Sequence, residues 1–285
     1  MNDSTFMTLM KLLPKSALST LVGKATRAPA PAVVHQAVMR AFARRYQVAL
    51  DEAEQPIERF TTFGQFFTRR LKPGARPIDP APDAVVSPCD GAISQVGTIE
   101  QGRCLQAKGL WFPVDKLLGD ARRALAFEGG SFATIYLAPR DYHRFHAPLE
   151  GHITGYSYLP GAFWPVNQAS VASVEALFAV NERLVTWLDT PLGQVAYVAV
   201  GATCVSRIHA AYDAVVTHTG HGARSSVYPR PLPIERGGEI GMFEMGSTVI
   251  VLFEKGRLAW DPALAPGVPV RLGQRLATRL VGGAA

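Results

Sequence analysis

Three segments of the chain set side chains capable of proton transfer or nucleophilic attack at turns beside apolar runs. In Ser87-Pro88-Cys89-Asp90-Gly91 a carboxylate stands where a turn enters a strand-like run. An Asp-Gly pair is itself a hairpin signal, so a purely structural turn is the alternative there. The segment Pro139-Arg140-Asp141-Tyr142-His143-Arg144-Phe145-His146-Ala147-Pro148 carries two of the seven histidines, three residues apart, directly after the apolar run Ile135–Leu137. Imidazole titrates nearest neutral pH, so His143 and His146 are candidate acid–base groups; the alternative is that they cap loops by bonding carbonyls. In Glu244-Met245-Gly246-Ser247-Thr248-Val249-Ile250 a Gly-Ser pair sits at a tight turn feeding an apolar strand. Gly-Ser also occurs at 130–131, so the dipeptide alone carries no signal, and its setting is what distinguishes it. A glycine carbonyl has no flanking Cβ to obstruct attack by the next residue's hydroxyl.

Common catalytic templates are absent. The chain has no Walker A loop, no GxGxxG opening a helix, no HExxH and no GxSxG. His218 and His221 are three apart, but Gly220 and Gly222 make that segment a loop, and a solvated turn outweighs a metal pair. No metal is expected.

The elements that must position these residues divide the chain in two. With 285 residues, 48% hydrophobic and 18% charged, the composition excludes disorder and collagen-like repeats. Cys89, Cys104 and Cys204 are too few and too far apart for a disulfide framework or a zinc ribbon, which points to a reducing compartment. No apolar run reaches the roughly 20 residues that cross a bilayer. Lys11, Pro14 and Lys15 interrupt any signal-peptide core, so neither secretion nor a membrane span is expected.

The net charge of +6 is unevenly placed. Up to residue 50 the sole acid is Asp3, against Lys11, Lys15, Lys24, Arg27, Arg40, Arg44 and Arg45. Residues 5–24 and 32–46 show helical spacing, with Phe6, Leu9, Met10 and Leu13 on one stripe and Pro14 breaking the first pattern into two short helices. Such helices either pack on their own core or lie on an anionic membrane, where each nearby Lys or Arg is worth about 1 kcal/mol. No aromatic-interleaved motif or recognition helix accompanies the charge, so no nucleic-acid partner is expected.

Phe60, Phe63, Phe66 and Phe67 crowd a third helical stretch ending at Arg69-Arg70. The proline-rich Lys72–Pro82 then forms an ordered connector. The boundary falls here, giving an N-terminal helical membrane-association region at 1–72 and a β-rich catalytic domain at 73–285. Beyond it, 92–97, 133–137, 195–200 and 248–253 are short β-branched runs, with brief helical patterns near 113–125 and 170–182. Strands do not alternate with long helices, so the expected class is α+β, a mainly antiparallel β core with an N-terminal layer of amphipathic helices.

Taken together the motifs resemble those of the phosphatidylserine decarboxylase family. They run from Lys11-Leu12-Leu13-Pro14-Lys15 through Phe63–Leu71, Arg76-Pro77-Ile78-Asp79, Cys89-Asp90-Gly91 and Gln106-Ala107-Lys108-Gly109. Tyr142–Pro148, Phe163–Asn167, Asn181-Glu182-Arg183, Val200–Thr203 and Gly237–Gly241 follow in order. The family's processing motif Leu-Gly-Ser-Thr reads Met245-Gly246-Ser247-Thr248 here, a volume-conserving change that keeps the reacting pair.

The resemblance implies a bacterial-type proenzyme that cuts itself between Gly246 and Ser247 into a β chain, 1–246, and an α chain, 247–285, which remain associated. Asp90, His146 and Ser247 would form the triad for that cut. Ser247 would become an N-terminal pyruvoyl group, the self-generated cofactor, which forms a Schiff base with phosphatidylserine and releases CO2 to give phosphatidylethanolamine. His143, or His146 acting again, would protonate the product carbon. A peripheral position on the cytoplasmic side of the cell membrane, contact with its anionic surface and a homodimer are the corresponding expectations. Other readings are a pyruvoyl decarboxylase of another serine lipid or of a soluble amino acid, a serine hydrolase with the same triad, and a non-enzymatic β-rich binding module.

Overall fold

Helices gather at the N-terminus and strands fill the rest of the chain. This computed structural model describes residues 5, 7, 8, 10, 13–107, 109–203, 207–220, 222–244 and 248–280. Thr5, Met7, Thr8 and Met10 are helical, and Pro14 then interrupts the pattern as the sequence predicts; Phe6 and Leu9 lie outside the described residues. Helix α1 spans Lys15–Arg27 and α2 spans Ala32–Tyr46, each entered from a proline. Helix α3, Phe63–Phe67, is shorter than the sequence stretch implied, because it starts only at Thr62, whose side chain caps the Gln65 N–H. Met39, Ala43, Ile57, Phe60, Phe63 and Phe66 bury against one another as a small core of their own.

The strands are β1 Ala84–Val86, β2 Gly91–Thr98, β3 Arg103–Ala107, β4 Leu110–Pro113, β5 Ser131–Tyr136, β6 Arg144–His146, β7 Gly151–Leu159 and β8 Arg183–Thr190. They continue with β9 Gly193–Val200, β10 Ile208–Ala210, β11 Arg224–Ile234, β12 Glu239–Phe243, β13 Thr248–Phe253, β14 Leu258–Trp260, β15 Pro269–Val270 and β16 Arg275–Arg279. Eight of them form one sheet in the order β11-β7-β8-β9-β13-β5-β2-β15, paired antiparallel throughout. The expected α+β class with an antiparallel core is what the molecule has.

Strand β13 lies inside this sheet, paired along its whole length with β5 on one side and β9 on the other. Its run Val-Ile-Val-Leu-Phe is apolar at every position because both of its faces are buried. Strand β11 ends the sheet, and Pro229, Pro231 and Pro233 are tolerated there because an edge strand can lose ladder donors. A three-stranded sheet, β10-β12-β6, carries the histidine segment beside the large sheet. The proline-rich connector is tied down, with the Asp79 N–H donating to the Gly273 carbonyl and Arg275 bonding the Asp79 carboxylate.

Candidate active site

Ser247, Gly246 and Met245 lie outside the described residues, but both flanks of that segment are fixed. On the C-terminal side Thr248 opens β13 between Tyr136, the last residue of β5, and Val200, the last of β9. On the N-terminal side the Phe243 N–H donates to the His143 carbonyl and the Glu244 N–H to the Arg207 carbonyl. The Glu244 carboxylate is bonded by Arg27 of α1 and by His209 Nε2 at 2.8 Å. The chain leaving β5 past Leu137 supplies both candidate histidines, so local sequence order alone brings them to this end of the sheet.

His146 ends β6. Its Nδ1 lies 2.9 Å from the Gly237 carbonyl oxygen, which can only accept, so the proton is assigned to Nδ1 and Nε2 holds the lone pair. Gly237 has φ +80, a backbone conformation that other residues adopt only with strain, so a side chain there would strain the turn whose carbonyl orients the ring. The ring stacks on Tyr142 with centroids 5.7 Å apart. Burial pushes the His146 pKa below its ordinary value, outweighing the Gly237 bond. His143 is fully buried, its Nδ1 2.8 Å from the Asp141 carbonyl and its ring 4.0 Å from that of Phe67. Burial, helped by the nearby Arg69 cation, drives its pKa down to about 3. Nε2 of each histidine is buried and meets no hydrogen-bond partner among the described residues.

Asp90 is positioned differently from the hydrogen-bonded triad partner that the resemblance implies. Arg76 grips its carboxylate as a fork, Nε donating at 2.8 Å and Nη2 at 2.6 Å, and the Leu272 N–H adds a third bond at 2.9 Å. Arg76 is held in turn by Glu52 at 2.8 Å. No hydrogen bond joins Asp90 to His146, whose ring is oriented by the Gly237 carbonyl instead. The charge of Asp90 still reaches His146 and favours its protonated form. Gly91 must be glycine, since a Cβ would stand 2.4 Å from the Tyr136 carbonyl oxygen.

A cavity of about 270 Å³ opens at the same end of the sheet, lined by Phe42, Tyr46, Phe67, Tyr136, Leu137 and Thr203 among others. Its walls are mostly apolar and come from α2, α3 and the ends of β5 and β9, so an apolar ligand entering past the helices would meet the start of β13. The described residues hold no cluster of three His, Cys, Asp or Glu side chains suited to a metal. His218 bonds Thr20 Oγ1 at 2.8 Å, and His221 lies outside the described residues.

The residues that sequence reasoning missed here are Arg76, Gly237, Arg27, His209 and Glu244. Arg76, Gly237 and Glu244 had a signal as members of noted segments, and Arg27 as one of the N-terminal cations, but it said nothing of their partners.

With this geometry in place, the comparisons with known proteins agree with the family read from the motifs. A family model described as phosphatidylserine decarboxylase matches residues 63–278, and a second, described as PSD, matches 5–47. A phosphatidylserine decarboxylase proenzyme of Myxococcus xanthus is 62% identical over 97% of this chain and 99% of its own length. Proteins of the same name from Anaeromyxobacter and Brevibacillus brevis are 54% and 43% identical, over 97% and 95% of this chain and 99% and 96% of theirs.

Proposed function

Because this chain belongs to the phosphatidylserine decarboxylase family, a family of carboxy-lyases, we propose that it is a proenzyme that cuts itself between Gly246 and Ser247 and then decarboxylates phosphatidylserine to phosphatidylethanolamine. The observation that carries this reading is His146: a buried imidazole, neutral at pH 7, with its tautomer set by Gly237 and an Nε2 that meets no hydrogen-bond partner among the described residues. Nε2 takes the Ser247 hydroxyl proton as Oγ attacks the Gly246 carbonyl carbon. The imidazolium returns that proton to the Ser247 nitrogen as the Gly246–Ser247 C–N bond breaks and an ester forms. Asp90, locked by Arg76, contributes negative charge toward the imidazolium without touching it. Loss of the Ser247 Cα proton expels the Gly246 carboxylate and leaves dehydroalanine, which water converts to a pyruvoyl group with release of ammonia.

The residues at this end of the sheet suit such a group: the Nε2 atoms of His143 and His146 meet no hydrogen-bond partner among the described residues, and the largely apolar cavity is lined by Tyr136, which pairs with Thr248. Once formed, it supplies a carbonyl that takes the substrate's amine as a Schiff base and accepts the electron pair left when CO2 departs. His143 Nε2 is the candidate for delivering a proton to that carbon. Burial holds its pKa down at about 3, and a substrate carboxylate beside it would raise that value. No metal enters this scheme.

Intact mass under denaturing conditions tests the proposal. Two chains of 246 and 39 residues are expected, the smaller reactive with hydroxylamine and blocked to Edman degradation; a single intact chain in active protein overturns it. The cut should also follow the ionisation of His146. Its folded pKa lies below 6.5, so the base form persists above that pH and is lost only as pH falls beneath it. The rate of cutting in protein made by cell-free synthesis is therefore expected to be flat from pH 7 to 8.5 and to decline below 6.5. A midpoint above 7 would exclude this imidazole as the base.

Membrane association belongs to the same proposal. No helix among the described residues is long and apolar enough to cross a membrane. On α1 and α2, Leu21, Val33, Val34 and Val38 are 65, 80, 52 and 51% exposed, beside the exposed cations Lys24, Arg40, Arg44 and Arg45. A helix with an outward apolar face and flanking cations suits peripheral binding to an anionic surface, here taken as the cytoplasmic side of the cell membrane. Replacing Val33, Val34 and Val38 together by Asp is expected to weaken sedimentation with phosphatidylglycerol vesicles at least tenfold, since each buried Val contributes about 1.5 kcal/mol. Cutting at Gly246 should proceed as before, and undiminished vesicle binding would exclude this face.

A further inference from the structure

A second cavity, of about 480 Å³, separates α1 from the strand ends behind it. Ser16, Thr20, Lys24 and Arg27 line it at successive turns of α1, and Arg207 and His218 close it from the core side. The helix has three faces. Ser19 and Gly23 pack inward, Ala17, Leu21 and Ala25 are exposed and apolar, and the polar, cationic strip lies between the two and opens into the cavity. An amphipathic helix on a soluble protein turns its cations to water and its apolar residues to the core. Here an apolar face looks outward and the cations line the space beside it, which is where the headgroup of a lipid touching Leu21 would come.

The charged groups of the cavity are not equally engaged. Arg27 is committed to Glu244. Glu182 accepts from the Tyr158 hydroxyl at 2.8 Å and lies 3.9 Å from His218 Nδ1, and burial pushes its carboxyl above the usual range, which weakens its negative charge. The side chains of Lys24 and Arg207 make no ion pair among the described residues, and Arg207 Nε is buried without a hydrogen-bond partner. Two cations without an ion-pair partner among the described residues, at the rim and wall of a cavity that Ser16, Thr20 and His218 also line, form a site for an anion. Through Arg27 the cavity adjoins Glu244, which is three residues from Ser247, no more than about 10 Å of extended chain.

We propose that this cavity is the phosphate subsite of the lipid substrate, with Lys24 and Arg207 holding its phosphodiester while an acyl chain lies along the exposed face of α1. The inference rests on the decarboxylase reading and assigns the substrate's phosphate to named side chains. The ligand chemistry is a phosphate mono-anion, and a free phosphate ion would offer the same oxygens, so the test separates the two.

Steady-state decarboxylation is measured with phosphatidylserine diluted in micelles of a non-ionic detergent, where no other surface charge attracts the protein. In the Lys24→Gln, Arg207→Gln double variant KM is expected to rise at least tenfold, about 1.4 kcal/mol, with kcat within threefold and the cut at Gly246 complete. Arg207→Lys, which keeps the charge, should recover most of that loss. Removing two exposed cations elsewhere, Arg122→Gln with Arg230→Gln, should leave KM within twofold. Inorganic phosphate should compete with the lipid in the parent protein and lose that effect in the double variant. An unchanged KM in the double variant overturns the proposal. If phosphate inhibition is lost while KM is unchanged, the cavity binds the free ion and the lipid assignment falls. An equal KM rise in the Arg122, Arg230 control reduces the effect to bulk charge and also overturns it. A protein that stays uncut and unreactive with hydroxylamine sinks the decarboxylase reading itself, an outcome the KM comparison cannot mimic.

Discussion

A Ser247→Ala protein is expected to accumulate as one uncut polypeptide of 285 residues with no detectable decarboxylase activity. The substitution removes a single oxygen atom, yet on the proposed chemistry that oxygen is the nucleophile for the cut, and its loss prevents formation of the carbonyl on which turnover depends. No other side chain can supply it, because the pyruvoyl carbon skeleton is that of residue 247 itself. The strand that follows is fully buried and paired on both sides, and none of those contacts needs the serine hydroxyl, so the variant should fold and melt as a cooperative unit. Gel mobility, intact mass and CO2 release check all three expectations. The competing readings diverge here: a serine hydrolase would leave the parent protein uncut and labelled at Ser247 by fluorophosphonates, and a binding module would be indifferent to the change. A variant still cut at the same bond would remove Ser247 from the mechanism.

The second large effect separates the two histidines. His146→Ala should slow the cut by about 10²–10⁴-fold, the usual contribution of a positioned proton-transfer group, leaving mostly full-length chain. His143→Ala should be cut normally and lose decarboxylation by a similar factor. The assignment follows from their surroundings. His146 has its Nδ1 fixed by a glycine carbonyl, and its strand pairs with β12, the strand running toward Glu244. His143 packs on Phe67, which also lines the apolar cavity. Both are buried, and alanine leaves a void, so His143→Gln and His146→Gln serve as fuller-sized controls whose thermal unfolding shows whether lost function is lost fold. Normal maturation of His146→Ala would exclude it as the base, and full decarboxylation by His143→Ala would exclude the proton-delivery role.

How far the sequence could be read depended on the range of each interaction. Strands β2, β5, β9 and β13 were legible because β-branched runs bounded by Gly, Pro or Asp announce themselves locally. Strand β7, Gly-His-Ile-Thr-Gly-Tyr-Ser-Tyr-Leu, mixes glycine and polar residues with aromatics, and β11 contains three prolines. Their strand character comes from pairing with each other, not from composition. The two histidines were legible as a pair because they stand three positions apart. Arg76 as the holder of Asp90 was not, since the connector must fold back before the fork can form. The link from Arg27 to Glu244 spans 217 positions, and that from His146 to Gly237 spans 91. Contacts at such separations are set by topology, and a single sequence does not encode them as a local pattern. The helical layer was read correctly as amphipathic, but which of its faces turns outward depends on the core it meets.

The seat of β13 has a consequence for the life of the molecule after the cut. Thr248–Phe253 would then belong to a separate 39-residue peptide wedged between two strands of the longer piece. A proenzyme that opens can close again by itself, at a rate independent of how dilute it is. The two-piece form, once fully opened, must find its missing partner by diffusion, so recovery becomes second order and fades on dilution. Heat or denaturant should thus inactivate the ripe enzyme for good under conditions from which its precursor returns, and the time the sheet takes to open, more than its equilibrium stability, would limit the working lifetime.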